Sequence, residues 1–246
     1  MTSFVLLHPF PLDHRLWEQV AGQLTGVNVL TPDLVGCGGR PVPSNKPDLA
    51  VAAQDVIEQI DQAGITDFVL GGISLGGYVA LEMLRHIPQR IQGLMLVDTK
   101  CTADADEAKT NRERLAKQIT QRGQLELLAE NMLTTLLGKT THKKNQDVVE
   151  QVRMWITEAN PQAVAWLARA MAKRPDTFQE LIDFDKPSLL IRGEEDSVST
   201  SQDFDQMQEL LVHVVRVEVS GSGHLPPIEQ PAKTALAINS WLTQFA

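Results

Sequence analysis

The sequence predicts an α/β protein built on a doubly wound, six-stranded, all-parallel sheet with a helical cap. Two patterns lead to this fold class. Short, continuous apolar runs alternate with segments of helical periodicity, and one long segment interrupts that alternation without contributing a strand. Size is a third observation, because a chain of 246 residues that is 43% hydrophobic can form one sizeable core.

Six short apolar runs predict the strands of the sheet. The runs are continuous rather than alternating, which is typical of strands buried on both faces, as in a parallel sheet covered by helices. The predicted strands are Ser3–His8, Val27–Leu34, Phe68–Ile73, Ile91–Asp98, Pro187–Arg192 and Val214–Val219.

Segments of helical periodicity lie between and after these strands. The loop 36–46, GCGGRPVPSNK, is too rich in glycine and proline to continue either element beside it. The predicted core helices are Leu16–Leu24, Leu49–Ala63, Leu75–His86 and Ala232–Phe245.

Residues 100–184 contain no convincing strand. A segment of about 85 residues is too long for one loop, so it is predicted to be a helical insertion that packs over the sheet edge as a cap. Residues 1–99 and 185–246 would then form the core. The predicted cap helices are Glu107–Arg122, Gln124–Leu137, Asp147–Ala159 and Pro161–Lys173.

Composition narrows the possible partners and the compartment. The net charge is −9 with no basic stripe, which argues against nucleic acid as a partner. No apolar run is long enough to span a bilayer, and the first residues lack the basic start of a signal peptide, so a cytoplasmic protein without a membrane partner is expected. Cys37 and Cys101 are interpreted as reduced thiols, with a disulfide between them as the alternative. The sequence leaves the oligomeric state open.

A glycine-flanked serine lies at the corner between the third strand and the following helix. The stretch Gly72–Gly76, GISLG, fits G-x-S-x-G in the strand-to-helix context that this motif requires. A strained turn would project the Ser74 hydroxyl, and the glycines would let the strand and helix pass closely. The Leu75 N–H would face a developing oxyanion. The alternative is a glycine-rich turn that only packs a helix on a sheet.

A serine nucleophile needs a base, and the base needs an orienting acid. His224 follows the sixth strand in Gly221–His224, and Asp196 follows the fifth in Gly193–Asp196. The carboxyl ends of parallel strands meet at one edge of a sheet, so these side chains are predicted to converge with Ser74. Glu194, Glu195 and Asp98, which ends the fourth strand, remain alternatives for the acid.

Together these segments resemble the α/β-hydrolase superfamily, from the first strand to the last helix. The final part of the cap segment, residues 170–182, is similar to that of small esterases and 3-oxoadipate enol-lactonase-like members. Many relatives begin with a β-hairpin for which this chain has no room, so a core lacking that hairpin is expected. The resembling segments are His8–Pro11, Asp33–Arg40, Gly72–Gly76, Gly193–Asp196, Gly221–His224 and Glu229–Pro231.

The resemblance implies roles for individual residues. Ser74 would be the nucleophile, His224 the general base and then the general acid, and Asp196 the residue that orients His224. The backbone N–H groups of Phe10 and Leu75 would form the oxyanion hole. The His-Gly-x-Pro of the family is His8–Pro11 here, and the proline at position 9 leaves the donor, which belongs to the next residue, unaffected.

Other polar residues receive structural interpretations. His8 is predicted to brace the oxyanion loop, and Cys37 is predicted to have no catalytic role. No cluster has metal-ligand spacing, so neither a metal nor a cofactor is expected. The remaining histidines are predicted to lie at the surface or to support other residues, and they are His14, His86, His142 and His213.

The cap is predicted to determine specificity. Trp155 and Met171 are predicted to line the substrate pocket. An arginine of the cap that faced inward would suit a carboxylate-bearing substrate, although a solvated helix face is the simpler reading of Arg153, Arg169 and Arg174.

The predicted activity is hydrolysis of a small carboxylic ester or lactone through an acyl-enzyme. Two alternatives stay open. The same triad would also suit a cofactor-free perhydrolase or a lyase, and the fold would also suit a non-enzymatic ligand receptor.

Overall fold

A single parallel sheet organises the protein in the computed structural model, which describes residues 1–245. The six strands lie in the order β2-β1-β3-β4-β5-β6, and every neighbouring pair is parallel. The predicted six-stranded, all-parallel sheet is thereby confirmed. The strands are β1 Thr2–Leu7, β2 Val27–Leu30, β3 Phe68–Ile73, β4 Ile91–Val97, β5 Ser188–Gly193 and β6 Val214–Val219.

Burial follows position in the sheet. All residues of the inner strands β3 and β5 are buried, as the continuous apolar runs predicted. The edge strands β2 and β6 are largely half-buried or exposed. Val97 of β4 pairs with Ile191 of β5, and Gly193 pairs with Val219 of β6, so these strands end at one edge of the sheet.

Twelve α-helices and three short 3₁₀ helices accompany the strands in residues 1–245. The 3₁₀ helices are His14–Trp17, Pro88–Arg90 and Thr243–Phe245. The α-helices are α1 Glu18–Ala21, α2 Leu49–Gln62, α3 Leu75–His86, α4 Asp106–Arg122, α5 Glu126–Leu136, α6 Lys139–Lys144, α7 Gln146–Glu158, α8 Pro161–Lys173, α9 Phe178–Ile182, α10 Ser201–Leu210, α11 Pro226–Glu229 and α12 Pro231–Leu242.

Some predicted boundaries are wrong for local reasons. The second strand ends at Leu30 rather than Leu34, because Pro32 has no N–H for a strand ladder. The helix predicted over Leu16–Leu24 is instead a 3₁₀ turn followed by one turn of α-helix. The last helix ends at Leu242, and a 3₁₀ turn follows it.

Four short helices, α6, α9, α10 and α11, were not predicted. They are short or largely polar, so they carry little apolar periodicity. Helix α10 did carry a readable signal, because Thr200 and Asp203 form a reciprocal capping box at its start.

Helices α4 to α9 all lie between β4 and β5, in the segment that was predicted to be the cap. Helix α8 packs against α4 and α2, and the Trp166 indole N–H donates to the Asn45 carbonyl oxygen at 3.1 Å. The role of this segment as a cap over the site stays a prediction. Both cysteines are free thiols, and none of the helices in residues 1–245 is long and apolar enough to span a bilayer.

Candidate active site

Ser74 occupies the corner between β3 and α3 in a backbone conformation that is rare for a residue with a side chain. Its φ is +52° and its ψ is −114°. A Cβ at Gly72 would collide with the Gly76 carbonyl, and a Cβ at Gly76 would collide with the Leu7 carbonyl. The close approach of strand and helix that the glycines predicted is therefore present, and the surrounding backbone enforces the strained turn.

The next strand holds this corner in place. The Ser74 N–H donates to the Val97 carbonyl oxygen at 3.0 Å, and the Thr99 hydroxyl donates to the Ser74 carbonyl oxygen at 2.9 Å. The methyl and hydroxyl of Thr99 also fill the space that a side chain at Gly77 would need. The end of β4 thus fixes the backbone of the serine.

The structure brings His224 and Asp196 together. His224 Nδ1 lies 3.0 Å from both carboxylate oxygens of Asp196, and the two residues are only 2% and 6% exposed. Because Asp196 is an acceptor, it fixes the tautomer with the proton on Nδ1 and leaves a lone pair on Nε2. His224 follows β6, Asp196 follows β5, and Ser74 follows β3, so all three lie at the carboxyl ends of their strands.

Asp196 is held as a carboxylate. Burial by itself would raise its pKa, but the charge and hydrogen bond of His224 and further hydrogen bonds from Asp98 and Ser199 lower the pKa well below its usual range. The Val198 N–H donates to Asp196 Oδ1 at 2.8 Å, and the Ser199 N–H and hydroxyl both donate to Oδ2. The carboxylate is therefore ionised and rigidly placed.

Asp98, the alternative acid, lies beside Asp196 in surroundings that favour its neutral form. Its side chain is fully buried, and burial, together with the neighbouring negative charge and a hydrogen bond to Asp196, raises its pKa well above the usual range. Its carboxyl oxygens accept from the Gly193 N–H at 2.9 and 3.3 Å. A protonated Asp98 that donates to Asp196 satisfies both groups, and the carboxylate in contact with His224 is that of Asp196.

His8 braces the loop that follows β1, as its position predicted. Its Nδ1–H donates to the Pro9 carbonyl oxygen at 3.1 Å, and its Nε2 accepts from the Leu34 N–H at 3.0 Å. Burial lowers the pKa of His8, so the ring stays neutral, with one nitrogen that donates and one that accepts. The loop after β1 is thereby tied to the loop after β2.

The two predicted oxyanion donors belong to this loop and to the start of α3. Within residues 1–245, neither the Phe10 N–H nor the Leu75 N–H donates to a protein acceptor. Phe10 is 8% exposed and Leu75 is fully buried. A buried N–H without a partner is unfavourable, so each of these groups retains an unused capacity to donate, and their role as oxyanion donors stays a prediction. The peptide bond between Phe10 and Pro11 is cis.

A cleft of about 440 Å³ lies between the loops after β1 and β2 and the junction of α7 with α8. Its lining includes Pro11, Cys37 and Leu167, but none of the three residues of the predicted triad. Its lining includes Pro11, the residue after Phe10, so the cleft adjoins the predicted oxyanion loop. The charged groups of its lining are ion-paired, with Arg15 bound to Glu158 at 2.8 Å.

The two predicted pocket residues of the cap are both buried. The guanidinium of Arg15 lies over the Trp155 ring, 5.3 Å from its centroid. The Met171 sulfur lies 3.2 Å from a guanidinium nitrogen of Arg112. Their contribution to a substrate pocket stays a prediction.

Within residues 1–245, two groups of carboxylate and imidazole side chains have the proximity that metal binding needs. Asp98, Asp196 and His224 form one, and Asp13, His14 and Asp33 form the other. In the first group His224 is bonded to Asp196. In the second, His14 Nδ1 lies 2.8 Å from Asp33. Each imidazole nitrogen that faces a carboxylate is thus already in a hydrogen bond.

The cysteine and histidines that were predicted to have no catalytic role have surroundings consistent with that prediction. Burial raises the pKa of the Cys37 thiol to about 12, which leaves it protonated and a poor nucleophile. His86 pairs with Glu82, and His142 Nε2 donates to the Leu133 carbonyl oxygen. His213 is exposed beside β6.

Sequence reasoning missed the residues that support Asp196 and His224 of the predicted triad. Ser199 supports Asp196, and Glu229 supports the loop that carries His224. The Glu229–Pro231 segment contributed to the family resemblance, but its contacts join residues far apart in sequence and so could not be predicted from periodicity.

The fold agrees with the comparisons to known proteins. The sequence model of the alpha/beta hydrolase family matches residues 4–237, so the chain belongs to that family. The 3-oxoadipate enol-lactonase 1 of Acinetobacter baylyi is 28% identical over 232 residues, which cover 94% of this chain and 85% of that protein.

Solved structures include a more similar relative. A thermophilic esterase from Thermogutta terrifontis, solved with malate bound, is 34% identical with a TM-score of 0.96. The match covers 99% of this chain and 90% of the esterase chain. The enol-lactonase from Burkholderia xenovorans shares the fold, with a TM-score of 0.90 at 20% identity over 98% of this chain and 91% of its own.

Proposed function

We propose that this protein is a serine hydrolase that cleaves a small carboxylic ester or lactone through an acyl-enzyme on Ser74. The observation that carries the proposal is the paired contact of His224 Nδ1 with Asp196, at the same sheet edge as a strained serine. Membership in the alpha/beta hydrolase family and similarity to an esterase and an enol-lactonase support ester bonds as the target.

Acylation begins when Ser74 Oγ attacks the carbonyl carbon and its proton passes to His224 Nε2. The negative oxygen of the tetrahedral intermediate accepts hydrogen bonds from the N–H groups of Phe10 and Leu75. Asp196 stabilises the imidazolium that forms. The carbon–oxygen bond to the alcohol then breaks, and the alcohol leaves with the proton from Nε2.

Deacylation repeats these steps with water. His224 Nε2 takes a proton from the water as its oxygen adds to the acyl carbon. The second intermediate collapses by breaking the bond to Ser74 Oγ, which recovers the proton from Nε2. The carboxylic acid is released and the enzyme returns to its starting state.

Charge in the inserted helical segment favours a substrate without a free carboxylate. The three arginines that would suit a carboxylate are all paired: Arg153 with Glu150 at 3.3 Å, Arg169 with Glu113 at 3.5 Å and Arg174 with Asp104 at 2.8 Å. We therefore infer that a neutral ester or neutral lactone is the better substrate.

The test is hydrolysis of a chain-length series of p-nitrophenyl esters by the wild type and by Ser74→Ala. We expect the wild type to prefer short acyl chains and Ser74→Ala to lose turnover. Ser44→Ala, on an exposed loop, is the matched control and should keep wild-type rates. A neutral lactone assayed beside one bearing a carboxylate tests the substrate class.

Each alternative activity has its own signature. Equal rates for the wild type and Ser74→Ala would exclude the serine mechanism. Faster consumption of ester with hydrogen peroxide than with water, giving peracid, would indicate a perhydrolase, and cleavage of a cyanohydrin would indicate a lyase. Tight ligand binding without turnover of any substrate would indicate a receptor.

A further inference from the structure

We propose that Glu229 is a positioning residue that fastens the inserted helical segment to the loop carrying His224. This inference rests on the proposed function, because it assigns Glu229 an effect on the base of that reaction. Glu229 ends α11, is only 6% exposed, and its two carboxylate oxygens face two different parts of the chain.

One oxygen binds the inserted segment. Glu229 Oε2 accepts from the Gly138 N–H at 2.7 Å and from the Thr141 hydroxyl at 2.7 Å. Gly138 caps the start of α6, and Thr141 lies in its first turn. The carboxylate thus satisfies one backbone donor that the beginning of this helix would otherwise leave unpaired.

The other oxygen binds the loop that carries the base. Glu229 Oε1 accepts from the Leu225 N–H at 3.0 Å and from the Ser222 hydroxyl at 3.2 Å. These donors flank His224 on both sides. The His224 N–H in turn donates to the Leu136 carbonyl oxygen at the end of α5, at 2.9 Å. The backbone of the base is therefore held by the inserted segment as well as by the core.

The inserted helical segment and the loop that carries His224 pack closely against each other. A Cβ at Gly223 would collide with Gly138, and a Cβ at Gly193 would collide with Gly223. Four donors on one buried carboxylate fix both its position and theirs. A displacement of α6 would therefore move the backbone on either side of His224, and misplacing a catalytic group by about 1 Å can lower the rate about 100-fold.

Glu229→Gln tests the assignment because it keeps size and shape. One carboxylate oxygen becomes an NH₂ that opposes a backbone N–H, so that hydrogen bond is lost, and the hydroxyl beside it must turn from donor to acceptor. With p-nitrophenyl acetate we expect kcat to fall about 10- to 100-fold with KM within about twofold. Hydrogen–deuterium exchange should accelerate both in residues 136–144 and in residues 220–228.

Glu195→Gln is the matched control. Glu195 also binds the start of α6, where its oxygens accept from the Thr140 N–H at 2.8 Å and the Thr140 hydroxyl at 2.6 Å, but its carboxylate, unlike that of Glu229, accepts no hydrogen bond from Ser222 or Leu225. This variant should accelerate exchange near α6 only and keep kcat within about twofold of wild type.

A second variant covers the case in which Glu229→Gln does not fold. Thr141→Val removes one donor on the helix side alone and should give a smaller fall in kcat in the same direction. A kcat of Glu229→Gln within twofold of wild type, or equal losses in Glu229→Gln and Glu195→Gln, would overturn the assignment. Absence of ester hydrolysis in the wild type would overturn the proposed function instead, and the exchange data would still test the coupling.

Discussion

Two adjacent buried aspartates differ in charge because their partners differ. Asp196 faces His224 and accepts from Val198 and Ser199, so its carboxylate form is stabilised. Asp98 is fully buried and faces the negative charge of Asp196, and these two effects outweigh the hydrogen bond from the Gly193 N–H and stabilise its neutral form. A neutral Asp98 lets both carboxyl groups remain buried beside His224.

Asp98→Asn should flatten the dependence of stability on pH. The pKa of Asp98 lies above that of the unfolded side chain, so between these values the native state binds more protons. The stability that Asp98 contributes is present at low pH and is lost as the pH rises towards its folded pKa, by up to about 1.4 kcal/mol per pH unit. Asparagine mimics the neutral carboxyl but does not titrate, so its contribution to stability does not change with pH.

Urea unfolding of the wild type and Asp98→Asn at a series of pH values from 4 upwards measures this difference. The wild type should lose stability relative to the variant as the pH increases. Parallel stability curves for the two proteins would show that Asp98 is ionised in the native state and would contradict the assignment.

Asp196→Asn should lower kcat for short esters severely, on the order of 10⁴-fold, because an amide cannot fix the correct tautomer of His224 or stabilise its cation. KM should change little, and the folded state should persist by circular dichroism. Retention of near-normal activity would transfer the orienting role to Asp98.

At the scale of the secondary-structure elements, the β3–α3 corner depends on the absence of side chains. Gly72 and Gly76 lie against backbone atoms, which cannot move aside as the end of a flexible side chain can. The strained conformation of Ser74 is the consequence, because the chain must reverse direction within one residue.

Gly76→Ala should therefore destabilise the protein, whereas Gly22→Ala should not. Alanine at position 76 forces the Leu7 backbone to shift, for which we expect a loss of about 1–3 kcal/mol. In a chain of this size the melting temperature should fall by about 2–4 °C for each kcal/mol.

Gly22 is a suitable control because an added Cβ meets only the Glu18 carbonyl oxygen, at 3.5 Å, and its φ is −65°. Differential scanning calorimetry of both variants gives the comparison. Equal melting temperatures for Gly76→Ala and the wild type would mean that the corner has more freedom than its contacts imply.

At the scale of the whole molecule, a cluster of ion pairs within the inserted segment reaches the core through one arginine. Asp104 accepts from Arg174 at 2.8 Å and from Arg112 at 2.5 Å, and the Arg174 guanidinium lies 3.8 Å from the centroid of the Tyr78 ring in α3. Burial would raise the pKa of Asp104, but the two arginines lower it below its usual value.

Asp104→Ala should be strongly destabilising because it leaves the buried Arg174 without its counter-charge. Breaking a buried ion pair in this way typically removes about 3–5 kcal/mol. Arg153→Ala, which breaks an exposed pair within α7, should change stability by less than about 1 kcal/mol. Urea unfolding curves of both variants measure the contrast, and similar midpoints would show that the pairing of Asp104 with Arg174 does not stabilise the fold.

The sequence alone determined the sheet, the helices with clear apolar periodicity and the identity of Ser74, Asp196 and His224 as candidates. These features follow from local patterns: apolar runs, helical spacing, and glycines where the chain must turn tightly. The helices α6 and α10 escaped prediction because polar contacts and caps, rather than an apolar stripe, define them.

Only the tertiary structure decided which carboxylate contacts His224 and what holds His224 in place. Asp196, Asp98 and Glu229 look alike in a sequence, since each is a single carboxylate near the end of an element. Their charge and partners depend on burial and on donors contributed by residues far along the chain, and those are set when the strands align and the inserted helices pack against the loop of His224.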